Sequence, residues 1–145
     1  MMKEKSVFLF DEVDQSILDL LTCNSRRQWQ EIGEKVHLTG QAVKNRVDKL
    51  EKMGILKNYT INIDYKKLGC MVHTFIAISM KTTKHSEFVE FIKGEKTIIE
   101  AHRTGGEACY LLKASTTSQE DLTRLLDAIL EYGNYRVSLS LEQVK

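Results

Sequence analysis

Proline is absent from all 145 residues, and no stretch is of low complexity. Any connector between domains is therefore expected to be short and partly ordered, not a long flexible tether. No apolar run approaches the ~20 residues that a membrane-spanning helix needs. The opening stretch MMKEKSVFLFDEVD carries two lysines and a short apolar patch, but acids follow at once and no small-residue cleavage site appears. This argues against a secretory signal and makes the cytoplasm the expected compartment. Cysteine is scarce: Cys23, Cys70 and Cys109 are odd in number, far apart and without a CxxC pair. They fit small buried hydrophobes in a reducing compartment better than a disulfide framework. His37, His73, His85 and His102 have no metal-ligand spacing and no cysteine nearby, so no metal is expected. There is no phosphate-cradling glycine loop and no nucleophile motif. No catalytic residue, and no enzyme, is expected.

What the chain does have is an uneven charge. The net charge is +1, but it is not spread evenly. From Met1 to Asp19, two lysines face five acids, a local balance of −3. From Thr39 to Asn58, Lys44, Arg46, Lys49, Lys52 and Lys57 face Asp48 and Glu51, a balance of +3. Local charge, not the total, decides where a phosphate backbone settles.

Apolar spacing supplies the elements. A first helix is expected from about Asp11, with Asp11 and Asp14 favouring its positive end and Val13, Ile17, Leu20 and Leu21 forming one stripe. TCNSRR breaks the pattern, and a short helix follows from about Trp29 to Val36. HLTG is a turn in which Thr39 caps a third helix, expected to reach about Met53 and to stop at a left-handed Gly54. In ILKNYTINIDY, Ile55, Lys57, Tyr59, Ile61 and Ile63 alternate, which reads as one or two strands. KKLG is the expected hinge. Strand, helix, two strands around a glycine turn, helix and strand then follow, with Ser118 and Asp121 at capping-box spacing. The fold class is α+β: a three-helix (winged) helix-turn-helix domain with a β-linker over residues 1–65, then a ferredoxin-like βαββαβ domain over 66–145.

Two helices joined by a tight turn, the second with a polar and partly basic outer face, describe a helix-turn-helix. The N-terminal end of the second helix leads into the major groove of double-stranded DNA. Gln41, Lys44, Asn45 and Asp48 sit there, about one turn from Thr39 and Gly40. Gln and Asn can pair with adenine by two bonds, and Lys can donate to guanine or phosphate. Asp48 is expected to pair with Lys44 at i,i+4 spacing. Arg46, at the margin of the apolar face, is a structural or phosphate-contacting residue; Lys57, Arg26, Arg27 and the amides after Thr39 are further candidates for phosphate. Any amphipathic helix has a polar outer face, so this pattern alone also fits an ordinary small helical domain. The short second helix, tight turn and local basic bias together favour a reader of DNA.

The stretch FDEVDQSILDLLTCNSRRQWQEIGEKVHLTGQAVKNRVDKLEKMGILKNYTINIDYKKLG resembles the N-terminal half of Lrp/AsnC (feast/famine) transcription regulators. Asp11, Asp14, Ile17, Leu18, Leu21, Asn24, Arg26, Arg46, Val47, Leu50, Glu51, Gly54, Ile55 and Tyr59 follow that family's pattern in order. Thr104 to Lys113 matches its T-G-x-x-x-x-Y-L-L-K turn, so the resemblance covers nearly the whole chain. It implies an effector-binding and oligomerising second domain and a small-molecule effector, usually an amino acid. It also implies a homodimer formed through the strand of the N-terminal half and the βαβ domain, and assembly up to octamers. Thr104, Gly105, Gly106, Glu107, Ala108 and Cys109 would contribute to the effector pocket, with Ser138 and Ser140 of the last strand lining it. The sequence departs from the family at Thr39-Gly40, where Ser and Pro or a small residue is usual, and at GEACY, where G-x-Y-D-Y is common. Ala108 and Cys109 thus replace an acid that can hold a ligand's ammonium group, and Glu107 sits on the other parity of the strand. Two other classes stay open at this point. One is an architectural DNA-binding protein without an effector. The other is an enzyme like the haem-pathway decarboxylases on the same fold, which would need a tetrapyrrole-sized cavity lined by basic or histidine side chains, for which His73 and His102 are candidates.

Overall fold

The computed structural model describes residues 10–145, and the chain divides between Asn62 and Ile63 into two compact units. The reading of the opening residues, and the lysines at 3 and 5, lie outside the described part.

The first unit begins with α1, Glu12–Cys23. Asp11 is its N-cap: the Asp14 amide donates to the Asp11 carboxylate at 2.8 Å, and the Asp11 amide donates back to the Asp14 carboxylate at 3.1 Å. This reciprocal box satisfies two of the amides that a helix start leaves unpaired. α2 spans Trp29–Val36 and ends on His37, whose φ of 57° turns the chain sharply. α3 spans Gly40–Lys52; the Thr39 hydroxyl accepts from the Ala42 amide at 3.1 Å. Gly54 then takes a φ of 70°, as its position after the last apolar residue implied. Ile17, Leu21, Ile32, Val43 and Val47 form one buried cluster, packed by Trp29, Val36, Leu38 and Leu56.

Two glycines allow the helices to cross closely. A Cβ on Gly33 would lie 2.3 Å from the Leu38 carbonyl oxygen, and one on Gly40 would lie 3.1 Å from the Gln30 amide nitrogen. Gly40 therefore closes the turn tightly.

The expected strand or strands over Ile55–Ile63 do not form, and the helical unit carries no β-wing among the described residues. The alternating pattern is that of an extended segment, but a strand also needs a neighbouring backbone to share its hydrogen bonds. None of the amides from Lys57 to Ile63 finds one in the described chain. Ile55, Tyr59, Ile61 and Ile63 are accordingly exposed. The hinge at KKLG is a single 3-10 turn, Tyr65–Leu68, capped by Asp64 and closed by Gly69 at φ 86°.

In the second unit the elements are β1 (Val72–Met80), α4 (His85–Gly94), β2 (Ile98–Arg103), β3 (Tyr110–Thr116), α5 (Gln119–Leu130) and β4 (Gly133–Leu139). The sheet order is β2-β3-β1-β4, with every neighbouring pair antiparallel, which is the ferredoxin-like arrangement expected. Thr74, Ile76 and Ile78 of β1 alternate inward with Tyr110, Leu112 and Ala114 of β3. They meet Phe88 of α4 and Leu125 and Ile129 of α5. Phe88 stands edge-on to Tyr110, with ring centroids 5.1 Å apart. The opposite face of the sheet carries Phe75, 51% exposed, and Leu111, 45% exposed, with Ala77 paired between Leu111 and Arg136. A bulge between Ile98 and Glu100 brings Glu100 and His102 onto that same face, opposite Lys113 and Leu111. The capping box expected at Ser118 is half formed. The Ser118 hydroxyl accepts from the Asp121 amide, while the Asp121 carboxylate turns to Thr117 and Arg124.

Leu50 is fully buried on the inner side of α3. Replacing it with Ala is expected to cost ~2–5 kcal/mol in chemical denaturation, as core truncation does. Gly33→Ala should cost ~1–3 kcal/mol by overpacking against backbone that cannot yield.

Candidate nucleic-acid interface and effector loop

The inner face of α3 is fixed by Val43, Val47 and Leu50, which leaves Gln41, Lys44 and Asn45 exposed one turn beyond the Thr39 cap. Along this face the side chains are paired in register. The Gln41 amide donates to the Asn45 carbonyl oxygen at 3.0 Å, and Lys44 pairs with Asp48 at 3.3 Å, the expected i,i+4 partner. Both pairs are exposed, so they hold the side chains upright at little cost to break. Arg26 is exposed and Arg27 half-buried on the α1–α2 connection, where the Asn24 side-chain oxygen accepts from the Arg26 amide. The Arg27 Nε is buried without a partner among the described residues. Lys57 is exposed beyond the end of α3.

Of the two roles expected of Arg46, structural or phosphate-contacting, the structure shows the structural one. Its guanidinium donates to the Asp11 carboxylate and to the Asp14 carboxylate, each at 2.8 Å. Asp14 is 0% exposed, so its charge is buried and needs this partner. The Asp14 amide and then the Arg46 guanidinium hold the Asp11 carboxyl below its ordinary range. The same two carboxylates hold the guanidinium of Arg46 more firmly protonated. Arg46 thus ties α3 to α1, with its charge already neutralised. The acids at the start of α1 and the arginine on the margin of α3 were each visible in sequence. Their pairing across 32 and 35 residues was not.

The hairpin loop between β2 and β3 is tightly held from one side. Thr104 donates its amide to the Cys109 carbonyl at 2.9 Å and its hydroxyl to the Ala108 carbonyl at 2.6 Å. The Cys109 amide donates to Ile78, and the Ser79 hydroxyl donates to the Glu107 carbonyl. The amides of Thr104 and Cys109 are therefore already committed. Those of Gly105, Gly106 and Glu107 make no hydrogen bond within the described chain. Glu107 lies in the bend before β3, so strand parity does not govern where it points. Ser140 does not join this loop within one chain. Its amide donates to His73, near the start of β1, whereas the loop is held at Ile78 and Ser79. Six residues of strand, roughly 20 Å, separate the two places. His73 and His102 share the open sheet face, but the Ser115 hydroxyl and the Glu100 carboxylate occupy them.

Comparison with known proteins agrees with this geometry at the level of both units. The profile of the AsnC-type helix-turn-helix domain matches residues 10–51, and that of the Lrp/AsnC ligand binding domain matches residues 73–145. The HTH-type transcriptional regulator LrpB of Bacillus subtilis is 48% identical over 135 residues, covering 93% of this chain and 91% of that protein. The chain belongs to the Lrp/AsnC family.

Among solved structures of the family, that of Bacillus subtilis LrpC superposes with a TM-score of 0.89 at 29% identity, over 94% of this chain and 98% of that one. The transcriptional regulator NMB0573 of Neisseria meningitidis, solved as a complex with L-Met, shares the fold with a TM-score of 0.87 at 24% identity, over 94% and 93%. Family membership makes this an HTH-type transcription regulator with a DNA-binding first domain and a ligand-binding second domain, not an enzyme. Among the described residues, no helix is long and apolar enough to cross a membrane.

Removing Arg46 strands a buried carboxylate. Arg46→Ala is expected to destabilise the helical unit by ~3–5 kcal/mol in urea denaturation, and an equally stable variant would show that Arg46 does not hold α3 to α1. Asp11, whose folded value is depressed, contributes stability that is complete above about pH 4 and is lost as pH falls through the lower folded value. Asp11→Asn should therefore flatten the acid limb of the stability profile.

Proposed function

We propose that this chain is a sequence-specific DNA-binding transcription regulator that binds a pseudo-palindromic site as a dimer or higher oligomer, up to an octamer, and is modulated by a small amino-acid effector. The observation that carries the reading is the face of α3: Gln41, Lys44 and Asn45 lie exposed and aligned just after a capped helix start, on a helix whose rotation the buried Asp14–Arg46 pair fixes. Gln41 and Asn45 offer the donor and acceptor pair that adenine presents to a groove reader, and Lys44 offers a cation for guanine or phosphate. Arg26, Arg27, Lys57 and the amides after Thr39 and Gly40 supply phosphate contacts. In a two-fold dimer, two such helices would present themselves about 34 Å apart, one turn of DNA.

The extended segment Lys57–Ile63, with its unpaired amides, and the open sheet face around Phe75, Ala77 and Leu111 are the surfaces a second copy would cover. Its effector site is the loop Thr104–Cys109, where the unbonded amides of Gly105, Gly106 and Glu107 offer donors to a carboxylate. The L-Met complex of the Neisseria meningitidis regulator supports an amino acid as the ligand class. In this chain Ala108 and Cys109 leave Glu107 as the one acid of the loop. The cytoplasm is the compartment that such a role requires.

Binding of the purified protein to DNA from its own upstream region, against a scrambled duplex across a salt series, tests the reading. Preference for the native fragment and a steep loss with salt are expected. Equal, salt-sensitive binding to both would mean an architectural role instead. Lys44→Ala and Asn45→Ala should each cost ~1–3 kcal/mol of specific binding with the fold intact. Unchanged binding in both would remove α3 as the reader.

A further inference from the structure

Two of the five cations between Thr39 and Asn58 are already paired in the structure: Arg46 serves Asp11 and Asp14, and Lys44 serves Asp48. Glu51, the other acid of α3, accepts from the Tyr59 hydroxyl at 3.1 Å. Lys52, the last residue of α3, is exposed, and its ammonium group forms no ion pair and no hydrogen bond among the described residues. Its place on the helix is specific. Eleven residues separate it from Gln41, close to three full turns at about 3.6 residues each, so the two lie within about 20° of one another round the axis. Asn45 and the Lys44–Asp48 pair fill the stripe between them, and Val43, Val47 and Leu50 take the opposite, buried side. The stripe is about 16 Å long at a rise of about 1.5 Å per residue. The major groove is only about 12 Å wide. A helix that enters with Gln41 and Asn45 leading therefore carries Lys52 out to the phosphates that border the groove.

We propose that Lys52 is a further DNA-binding residue, a phosphate anchor at the trailing end of the reading helix. This rests on the reading of α3 as the DNA reader. A lysine in the last turn of a helix also complements the negative end of the helix dipole. That role needs no DNA and leaves no trace in the salt dependence of binding. Phosphate contacts position a protein on the duplex, and base contacts specify the sequence. Lys52 thus adds affinity that is independent of sequence, while Gln41, Lys44 and Asn45 supply the preference. Because Arg46 and Lys44 already have acids, the cation that α3 brings to the backbone sits at its far end and not at its leading one.

The test compares the full chain as wild type, Lys52→Gln and Lys52→Arg on the upstream fragment and on the scrambled duplex, across a salt series. Losing one phosphate contact makes the slope of log affinity against log salt shallower by about 0.9. Lys52→Gln should show that change, with a roughly three- to tenfold loss of affinity at low salt. The loss should be the same on both duplexes, so that the ratio between them stays as in the wild type. Lys52→Arg keeps the cation and should restore the wild-type slope. The urea midpoint of Lys52→Gln should stay close to wild type, as for other surface substitutions. An unchanged slope in Lys52→Gln overturns the proposal, as does a loss confined to the upstream fragment, which would make Lys52 a base reader. If the wild type prefers neither duplex, and Lys44→Ala and Asn45→Ala leave binding as it was, it is the reading of α3 that fails, and the anchor fails with it.

Discussion

A carboxylate buried without a cation is among the most costly features a small helical domain can contain, and this chain buries a carboxylate at the base of its first helix together with the cation it needs. Asp14 is fully enclosed, and Arg46 of α3 answers it. The same guanidinium also holds Asp11, the residue that caps α1. One side chain therefore fixes the start of the first helix and the rotation of the third. Rotation is what matters for a reader. Were α3 turned by one residue position, about 100°, Gln41, Lys44 and Asn45 would no longer share the solvent side. Apolar packing through Val43, Val47 and Leu50 favours the observed rotation, but such packing tolerates slippage. A directional pair to a buried charge does not.

The other constraints act on distance. Gly33 and Gly40 let α2 and the start of α3 approach until a methyl group would collide with backbone. His37 makes the turn in the left-handed region, where most residues are strained, and this joins the two helices within a few residues. The result is a helix face whose geometry is set in the free chain, so that in the proposed role little ordering is left to do on binding. The pairs Gln41–Asn45 and Lys44–Asp48 continue that preorganisation to the side chains themselves.

Much of this was legible in the sequence, because it rests on short-range pattern. Apolar spacing gave the three helices, Thr39 and Gly54 gave the limits of the third, and the succession of apolar runs, glycine turn and helical stripe gave the element order of the second unit. What was not legible depends on partners distant in sequence. Arg46 could be read only as structural or phosphate-contacting, because nothing local reveals that Asp11 and Asp14 lie against it. The alternation from Ile55 to Ile63 reads as a strand, yet pattern cannot supply the neighbouring backbone that a strand requires. The bulge before Glu100 reverses which face His102 occupies, and a reading by simple alternation cannot anticipate it. Ser140 was set beside the glycine loop by the family resemblance, but the register of β4 on β1 puts it at the far end of the sheet within one chain.

The central claim is that the exposed start of α3 touches bases. Photocrosslinking from a base bearing an aryl diazirine, whose carbene inserts into any neighbouring side chain, placed at each thymine of a bound duplex and followed by mass mapping of the adducts, tests it directly. Adducts within residues 39–48, centred on Gln41 and Asn45, are the predicted result. Adducts confined to the connector after Gly54 or to the sheet unit, with none on α3, would contradict the account.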